Sequence, residues 1–293
     1  MNKLFIQVIL FFLVMGSSVY GENYKIGVLS KRGKIKCLSK WVKTAEYLTK
    51  TIKDDSFEIV SLKFEEVFPS IENKTIDFFL VNSSMFITAK VKYGAKAIMS
   101  MVNSRQGNPL TSFGGVIFTS SENEDINRLE DLRGNFICAV KESSFGGWQM
   151  ALKEFKDNGI EISDFKKLMF LGKHDNVVFS VDNGDCDVGT VRTGILERLS
   201  AEGSIKLTDF KIISKKHHAS FPFISSTALY PEWPLAKIAS TDASITVKVQ
   251  NALRSLKAHH VAARTARIVG WQDVLDYTPV EDLQKELEIG AYQ

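Results

Sequence analysis

The sequence predicts an α/β protein made of two units in series. Short β-like runs alternate with amphipathic helical stretches along the chain, which is the pattern of folds with largely parallel sheets. The alternation restarts near Phe113, and no Pro- or Ser-rich linker separates the two halves. We therefore expect two strand-like crossings between the units, near 113–120 and near 213–223.

The elements follow from local patterns. In the first unit we expect strands at 24–30, 57–64 and 76–82, and helices at 37–52 and near 64–74. In the second we expect strands at 113–120, 135–140, 167–172, 186–191 and 210–217, with helices from Phe145, at 174–184 and at 194–203. After residue 231 we expect a long helical region that carries Trp233, Trp271 and Tyr277. One lobe would then consist of residues 22–115 and 217–293, and the other of residues 116–216.

Composition excludes several classes of protein. The chain has 293 residues, of which 44% are hydrophobic and 24% charged, and a formal net charge of only +3. No basic stripe is interleaved with aromatic residues, so we expect no nucleic-acid partner. Residues 1–21 have the layout of a secretory signal peptide, with Lys3, an apolar run from Leu4 to Met15 and small residues after it. We expect cleavage near Gly21 and a periplasmic protein; a retained membrane anchor is the alternative.

The stretch SSFGG at 143–147 places hydroxyls and glycines where a helix begins. The first N–H groups of a helix have no intrahelical acceptor, and the macrodipole adds partial positive charge, so anions bind there. Ser143 and Ser144 add hydroxyl donors, and Gly146, which follows Phe145, lets a ligand approach the backbone. A plain helix cap is the alternative, since serine is a preferred N-cap residue.

Two further strand ends in the second unit carry candidate anion ligands. His174 follows the strand at 167–172 and can donate a hydrogen bond to an anion. Arg192 follows the strand at 186–191 and can offer a bidentate fork. Ligands of α/β folds gather at the carboxyl ends of strands. The alternatives are an exposed His174 beside an N-capping Asp175, and a surface position for Arg192.

The first unit offers candidate ligand-binding residues that would face the strand ends of the second unit. Asn82 and Ser83 follow the strand at 76–82 as polar donors, and Trp41 can form an apolar wall. Trp41 can instead be an ordinary core residue.

Cysteine and histidine spacing indicates no metal site. Cys37, Cys138 and Cys186 are widely spaced, and we expect each to be a small buried apolar residue. One disulfide and one free thiol are the alternative in an exported chain. The sequence has no metal-ligand spacing, no P-loop and no G-x-S-x-G elbow, so we expect no metal, no cofactor and no catalytic residue.

The chain resembles the periplasmic solute-binding proteins of the phosphate, phosphite and phosphonate ABC-transporter family. Within it, the chain is most similar to the sensor-type branch of tetrathionate-type sensors, and the resemblance covers nearly all of the mature chain. It implies a type II periplasmic-binding fold, in which two α/β lobes joined by a hinge close on a small ligand. The segments that carry it are VNSSMF, FGGVIFT, LEDLRG, ESSFGGWQMALKE, LGKHDNVVFSVDNGDCDVGTVRT, FPF and YPEWPLAKI.

The family also implies ligand positions. In its phosphonate binders a Ser/Thr-bearing helix start and a His after the next strand hold the oxyanion, and an aromatic residue packs over the ligand. The matching positions are Ser143, Ser144 and His174 for the oxyanion, Trp41 for the aromatic residue, and Asn82 and Ser83 for the strand end. Arg192 stands where those proteins carry an acidic or polar residue that grips the ligand's amine, and Phe145 lies inside the Ser-Ser loop. Both departures favour a more purely anionic ligand, such as a small sulfur or phosphorus oxyanion.

The expected function is binding without catalysis. The lobes would close on a small oxyanion, because only the closed state makes contacts from both lobes. An ABC permease or a histidine kinase sensor in the inner membrane would read the closed form, and we expect a monomer. The alternative is a periplasmic enzyme that acts on a small anionic substrate. The identity of the anion and the choice between transport and signalling stay open.

Overall fold

The computed structural model describes residues 21–293, so the expected signal peptide lies outside the described residues except for Gly21. Within them, none of the helices has the length and apolarity that crossing a bilayer requires. The strands are β1 (Asn23–Leu29), β2 (Ser56–Leu62), β3 (Phe78–Leu80), β4 (Lys96–Arg105), β5 (Asn108–Leu110), β6 (Ser112–Phe113), β7 (Gly115–Ser120), β8 (Phe136–Ala139), β9 (Lys167–Phe170), β10 (Val188–Arg192), β11 (Phe210–Ile213), β12 (Tyr230–Pro231), β13 (Pro234–Lys237) and β14 (Ile268–Gln272). The α-helices are α1 (Lys34–Thr51), α2 (Val67–Glu72), α3 (Ser83–Tyr93), α4 (Met150–Asp157), α5 (His174–Asp182), α6 (Ile195–Ala201), α7 (Ala243–Ser255), α8 (Val261–Ala266) and α9 (Thr278–Leu287).

Two sheets divide the strands between two lobes. The first-lobe sheet has the order β14-β4-β13-β3-β1-β2, with β5 paired to β4. In it β1 is parallel to β2 and β3, whereas β13 and β14 are antiparallel to their neighbours. The second-lobe sheet has the order β11-β7-β10-β8-β9, with β8, β9 and β10 parallel and β7 antiparallel to both its neighbours. The strands of each sheet therefore present several carboxyl ends at one edge, where ligands of α/β folds bind.

The passages between the lobes run side by side. The chain leaves the first sheet through β6 and returns through β12, and these two short strands pair with each other. The return passage begins later than 213–223, because a bridge between Lys216 and Ser225 and a hydrogen bond from Ser226 Oγ to the Ile213 carbonyl (2.7 Å) keep that segment against the second sheet. Polar side chains also fix the outgoing passage, since Gly115 N donates to Thr227 Oγ1 at 2.9 Å.

The apolar cores agree with the helix patterns. Helix α1 buries Cys37, Trp41, Ala45 and Leu48, which lie on one face at helical spacing. The first lobe has one large buried cluster, and the second has a cluster that includes Val177 and Val191 and another that includes Ile117 and Trp148. Phe145, although it follows the second-lobe strand β8, belongs to the first-lobe cluster. Apolar packing therefore joins the two lobes at this residue.

The C-terminal region differs from the expected continuous helical region. Trp233 immediately precedes β13, and Trp271 lies in β14. Both strands insert into the first-lobe sheet next to β4, a ten-residue strand that local patterns did not identify. Their partners are far away in the sequence, so the segment's own residues do not reveal the pairing.

The cysteines also differ from expectation. Cys138 in β8 and Cys186 form a disulfide, whereas Cys37 is free and buried. The expectation of three unlinked buried residues is therefore wrong for two of them, and the alternative with one disulfide and one free thiol is correct. The disulfide links β8 to the turn that precedes β10.

Candidate functional site: a cationic cavity at the strand ends

A cavity of about 920 Å³ lies between the lobes, and we refer to it as the main cavity. Its walls come from the ends of β1, β4 and β10, the starts of α1 and α5, and the region of α8. Two of its lining residues are acidic, Asp175 and Glu202. Ten are basic: Lys31, Arg32, Lys36, Lys40, Arg105, Lys173, Arg192, Arg198, Arg264 and Arg267. This excess of positive charge in a concave site concentrates anions there.

A much smaller pocket, which we call the helix-start pocket, has a volume of about 10 Å³. Asn82, Ser144, Phe145 and Gly146 contribute to its lining. The volume suffices for one water molecule at most. Five residues line both this pocket and the main cavity, and we call them the shared wall: Leu29, Lys31, His174, Arg192 and Trp233.

His174 begins helix α5 and lines both pockets. Its Nδ1 accepts a hydrogen bond from Arg192 N at 3.3 Å, so in the neutral ring Nε2 carries the proton and can donate. Burial, with the charges of Lys31 and Arg192 adding to it, holds the pKa of His174 well below its usual range. The shared wall therefore contains a neutral imidazole donor.

Arg192 is buried rather than at the surface, with 3% of its area exposed. Its Nη2 pairs with Oε1 of Glu232, which is 0% exposed and also accepts a hydrogen bond from Asn103 Nδ2 at 2.9 Å. The guanidinium lies over the Phe113 ring, 3.9 Å from its centroid. Burial tends to raise the pKa of Glu232, but Arg192 and Asn103 lower it on balance, so this carboxylate is ionised.

Three buried N–H donors around the main cavity have no hydrogen-bond partner among the described residues. They are Arg192 Nε, Arg105 Nε and Trp233 Nε1. An unsatisfied buried donor costs about 1–3 kcal/mol, and such groups are rare in folded proteins. The three point to an acceptor-rich ligand, since their residues line the same cavity.

Like charges act on one another within the cavity. Burial and the charges of Arg192 and Arg105 hold the pKa of Lys31 well below its usual range. Burial, with the charge of Arg105, lowers the pKa of Lys40 to about 7. Burial and the charge of Arg192 lower the pKa of Arg105 to about 9. The three pKa values are lowered for the same reason: the cations are desolvated and have too few counter-ions.

The remaining predicted site residues have varied positions. Trp41 lines the main cavity and is also buried, with Lys40 Nζ 5.1 Å from its ring centroid. Asn82 caps α3 through its Oδ1 and donates from Nδ2 to the Ser143 carbonyl across the lobes at 3.1 Å. Ser83 lines neither pocket, and its hydroxyl donates to the Pro231 carbonyl at 2.6 Å.

The helix start at Phe145 is nearly filled. A turn of π-helix (Phe145–Gln149) precedes α4, and Ser144 makes no side-chain cap there. The Phe145 ring is fully buried and meets the rings of Phe113 and Tyr230 at centroid distances of 5.9 and 5.0 Å. The helix start is therefore neither a plain serine cap nor an open anion-binding site.

Asp175 does not cap α5, whose N-cap residue is Lys173. Instead its carboxylate bridges Arg198 of its own lobe and Arg32 of the first lobe, the latter at 3.2 Å. Lys141 and Glu65 form another ion pair between the lobes at 3.2 Å. Two ion pairs therefore connect the lobes, one of them at the wall of the main cavity.

Sequence reasoning missed Lys31, Arg105 and Glu232. Lys31 follows β1 closely and Arg105 is the last residue of β4, so the strand-end rule that found His174 and Arg192 also applies to them. The strand before Lys31 is among the predicted ones, whereas β4, which ends at Arg105, is not. Glu232 follows β12 and has no local signal, since it meets Arg192 from 40 residues away.

Comparison with known proteins agrees with this architecture. Residues 26–278 match the family model described as "ABC transporter, phosphonate, periplasmic substrate-binding protein". The tetrathionate sensor histidine kinase of Salmonella typhimurium is 24% identical over 235 residues, which are 80% of this chain and 40% of that protein. The phosphate-import protein of Mycolicibacterium smegmatis is 26% identical over 121 residues, or 38% of each chain. The chain thus spans well under half the length of these two relatives in the matched regions.

Among solved structures, PhnD1 of Prochlorococcus marinus in complex with methylphosphonate superposes with a TM-score of 0.73. The match covers 91% of this chain and 98% of that one, at 15% identity, and shows a common fold. The expected type II fold and the expected resemblance, including that to tetrathionate sensors, are confirmed. The chain belongs to the phosphonate family of periplasmic substrate-binding proteins of ABC transporters.

Proposed function

We propose that this protein is a periplasmic solute-binding protein that closes on a small phosphorus or sulfur oxyanion at the shared wall. The single observation that carries the proposal is that Arg192 Nε and Trp233 Nε1 are buried donors without partners among the described residues, beside Lys31 and His174. An oxyanion offers several acceptors and a negative charge, and so meets both needs at once. The names of the relatives, which refer to tetrathionate, phosphate and methylphosphonate, support this ligand class.

The mechanism we propose is closure by charge compensation. Lys31 and Trp233 come from the first lobe and His174 and Arg192 from the second, so an oxyanion contacts all four only when the lobes are closed. Without an anion, closure brings like charges together in a desolvated space. A ligand with higher affinity for the closed state shifts the population toward it.

Within this proposal the helix start is a secondary contact. Ser144, Phe145 and Gly146 line the narrow pocket behind the shared wall, while Ser143 contributes its carbonyl to Asn82. Trp41 forms part of the cavity wall. Ser83 is left out of the site, because its hydroxyl already has a partner.

Arg192 explains why an amine-bearing phosphonate is disfavoured. Where an acidic residue would attract a ligand ammonium, this chain has a guanidinium, and Glu232 neutralises one edge of it. The charge around the ligand therefore remains positive. A membrane permease or a sensor kinase would recognise the closed monomer, in keeping with the family and with the relatives.

The test is calorimetric titration with phosphate, phosphite, methylphosphonate, thiosulfate and tetrathionate. We expect at least one of these anions to bind with one-to-one stoichiometry. Lys31→Gln, which removes a cation of the shared wall, should weaken that binding about tenfold or more. Lys34→Gln is the matched control, since Lys34 lies three residues further on and lines neither pocket; its affinity should stay within about twofold of wild type.

Two outcomes contradict the proposal. One is that no anion of the panel binds. The other is that the Lys31 and Lys34 variants bind the preferred anion equally well, which would place the site elsewhere.

A further inference from the structure

We infer that the main cavity holds a second anion subsite, so that the preferred ligand is a linear anion with two or more charged oxyanion groups. This inference rests on the proposed function and specifies its ligand class. The second subsite, which we call the outer rim, consists of Lys40, Arg264 and Arg267 with Trp41 as its apolar side.

The unpaired charges of the cavity exceed what one small ligand can balance. Of the ten basic residues that line the cavity, Arg32, Arg192 and Arg198 have salt-bridge partners. The other seven form no salt bridge with any described residue: Lys31, Lys36, Lys40, Arg105, Lys173, Arg264 and Arg267. One small oxyanion carries one or two charges and cannot balance this set.

These charges are spread along the cavity rather than gathered at one point. The inner end is the shared wall, with its buried donors. The outer rim does not line the helix-start pocket at all, so it lies away from that end. The outer rim lies beside the end of β4, which carries Arg105, because the Arg267 carbonyl accepts a hydrogen bond from Ser104 N at 3.0 Å.

The size of the cavity also favours a longer ligand. Its volume of about 920 Å³ is near the upper end of the roughly 300–1,000 Å³ found for ligands of drug size. A single oxyanion at the shared wall leaves most of this volume, and all of the outer rim, without contact. A linear anion can place one group against Arg192 and Trp233 and another against Lys40 and Arg267.

The burial and the lowered pKa of Lys40 agree with a second anionic group at the outer rim. Its side chain is half-buried, with the ammonium above Trp41, and burial together with Arg105 lowers its pKa to about 7. A second anionic group at the rim provides the counter-ion that the described residues do not.

The experiment compares anions with one head against longer anions of the same element. Phosphate is compared with pyrophosphate and tripolyphosphate, and thiosulfate with tetrathionate, by calorimetric titration of the full chain. In at least one series we expect affinity to rise about tenfold or more from the one-headed anion to the longest member. The series that shows the rise identifies the element.

Variants assign the rise to the outer rim. Lys40→Gln and Arg267→Gln should each weaken the longest anion about tenfold and leave the one-headed anion within about threefold. Lys50→Gln is the matched control, because Lys50 lies in α1 like Lys40 but does not line the cavity, and it should change neither affinity. A weaker affinity of the Lys50→Gln variant for the longest anion would reveal unspecific attraction of polyanions.

Failure of this inference is distinguishable from failure of the oxyanion proposal. If the one-headed anion binds as tightly as the longest one in both series, only the second subsite is wrong. The second subsite is likewise wrong if the rim variants weaken short and long anions equally, or weaken neither. If no anion binds in either series, both proposals are overturned.

Discussion

The helix-start pocket and the main cavity share a wall but differ in how they could hold an anion. The helix start offers backbone amides and a favourable dipole, yet only about 10 Å³ of space. The main cavity offers cationic side chains, donors without partners among the described residues, and about 920 Å³. Donors at a helix start therefore indicate a ligand only where the surrounding side chains leave room for it.

The reason for the difference lies in two side chains. Phe145, the first residue of the helical turn, is buried between Phe113 and Tyr230 and closes the helix start with apolar contacts. Arg192, on the cavity side, is held in place by Glu232, while its Nε has no partner among the described residues. Packing therefore fills one site, while an ion pair keeps the other in position and leaves a donor available.

The largest loss of stability is expected when the ion pair between Arg192 of the shared wall and Glu232 is broken. Arg192→Met leaves the fully buried Glu232 carboxylate without its guanidinium, and the free energy of unfolding should fall by about 3 kcal/mol at pH 7.5. Urea denaturation measures this. The double variant Arg192→Met/Glu232→Gln should recover part of the loss, because the uncompensated charge is gone.

The pH dependence of this loss has a definite sign. In the wild type the pKa of Glu232 is lowered on folding, so its contribution is present above the unfolded pKa and is lost as pH falls through the folded pKa. In Arg192→Met the unpaired buried carboxylate gains stability from protonation instead. The difference in unfolding free energy should therefore shrink between pH 7.5 and pH 5, and a constant difference would contradict the assigned role of the ion pair.

A smaller change tests whether the helix start is filled. A Cβ at Gly147 would lie 2.5 Å from Val140 Cγ2, 2.7 Å from Ser144 Oγ and 2.9 Å from His174 Cε1. Gly147→Ala should therefore lower the free energy of unfolding by about 1–3 kcal/mol. Gly270→Ala is the control, since its nearest contact is an ordinary 3.5 Å, and should stay within about 1 kcal/mol of wild type. Equal stability of the two variants would mean that the helix start has room to spare.

The smallest change in stability is expected at Lys40, because this side chain is only half-buried and solvent screens the unpaired charges around it. Since the folded pKa of Lys40 is about 7 and its ordinary pKa is 10.5, the unfolded chain binds more protons between these values. The contribution of Lys40 therefore destabilises the unliganded protein fully below pH 7, and this penalty fades as pH rises toward 10.5. Lys40→Gln should be more stable than wild type at pH 7, with a smaller difference at pH 9.5, as measured by urea denaturation. Lys50→Gln should show no such trend, and an equal trend in both variants would refute the assignment to Lys40.

Local sequence patterns predicted part of this architecture. The strand-turn-helix pattern around His174 is local, and both the helix start at His174 and its place beside the Arg192 strand end are as expected. Gly184 and Gly203 follow α5 and α6 in left-handed backbone, which is how helices commonly end. The family motifs also indicated the type II fold.

What local patterns could not predict depends on distant partners. β13 is recognisable only through its pairing with β3 and β4, and β14 only through its pairing with β4. Glu232 reaches Arg192 because the return passage runs beside β6. The filling of the helix start depends on Phe113 and Tyr230, which lie 32 and 85 positions away from Phe145 in the numbering. Serine and glycine at 143–147 predict donors, but nothing in that stretch predicts what occupies the space in front of them.

A crystal structure with the panel anion of highest affinity would locate the ligand directly. We predict density for the anion at the shared wall, with acceptor atoms about 2.7–3.2 Å from Trp233 Nε1 and Arg192 Nε and with Lys31 beside it. Density confined to the backbone amides of Phe145 to Gly147, with the shared-wall donors facing only water, would contradict the proposed site.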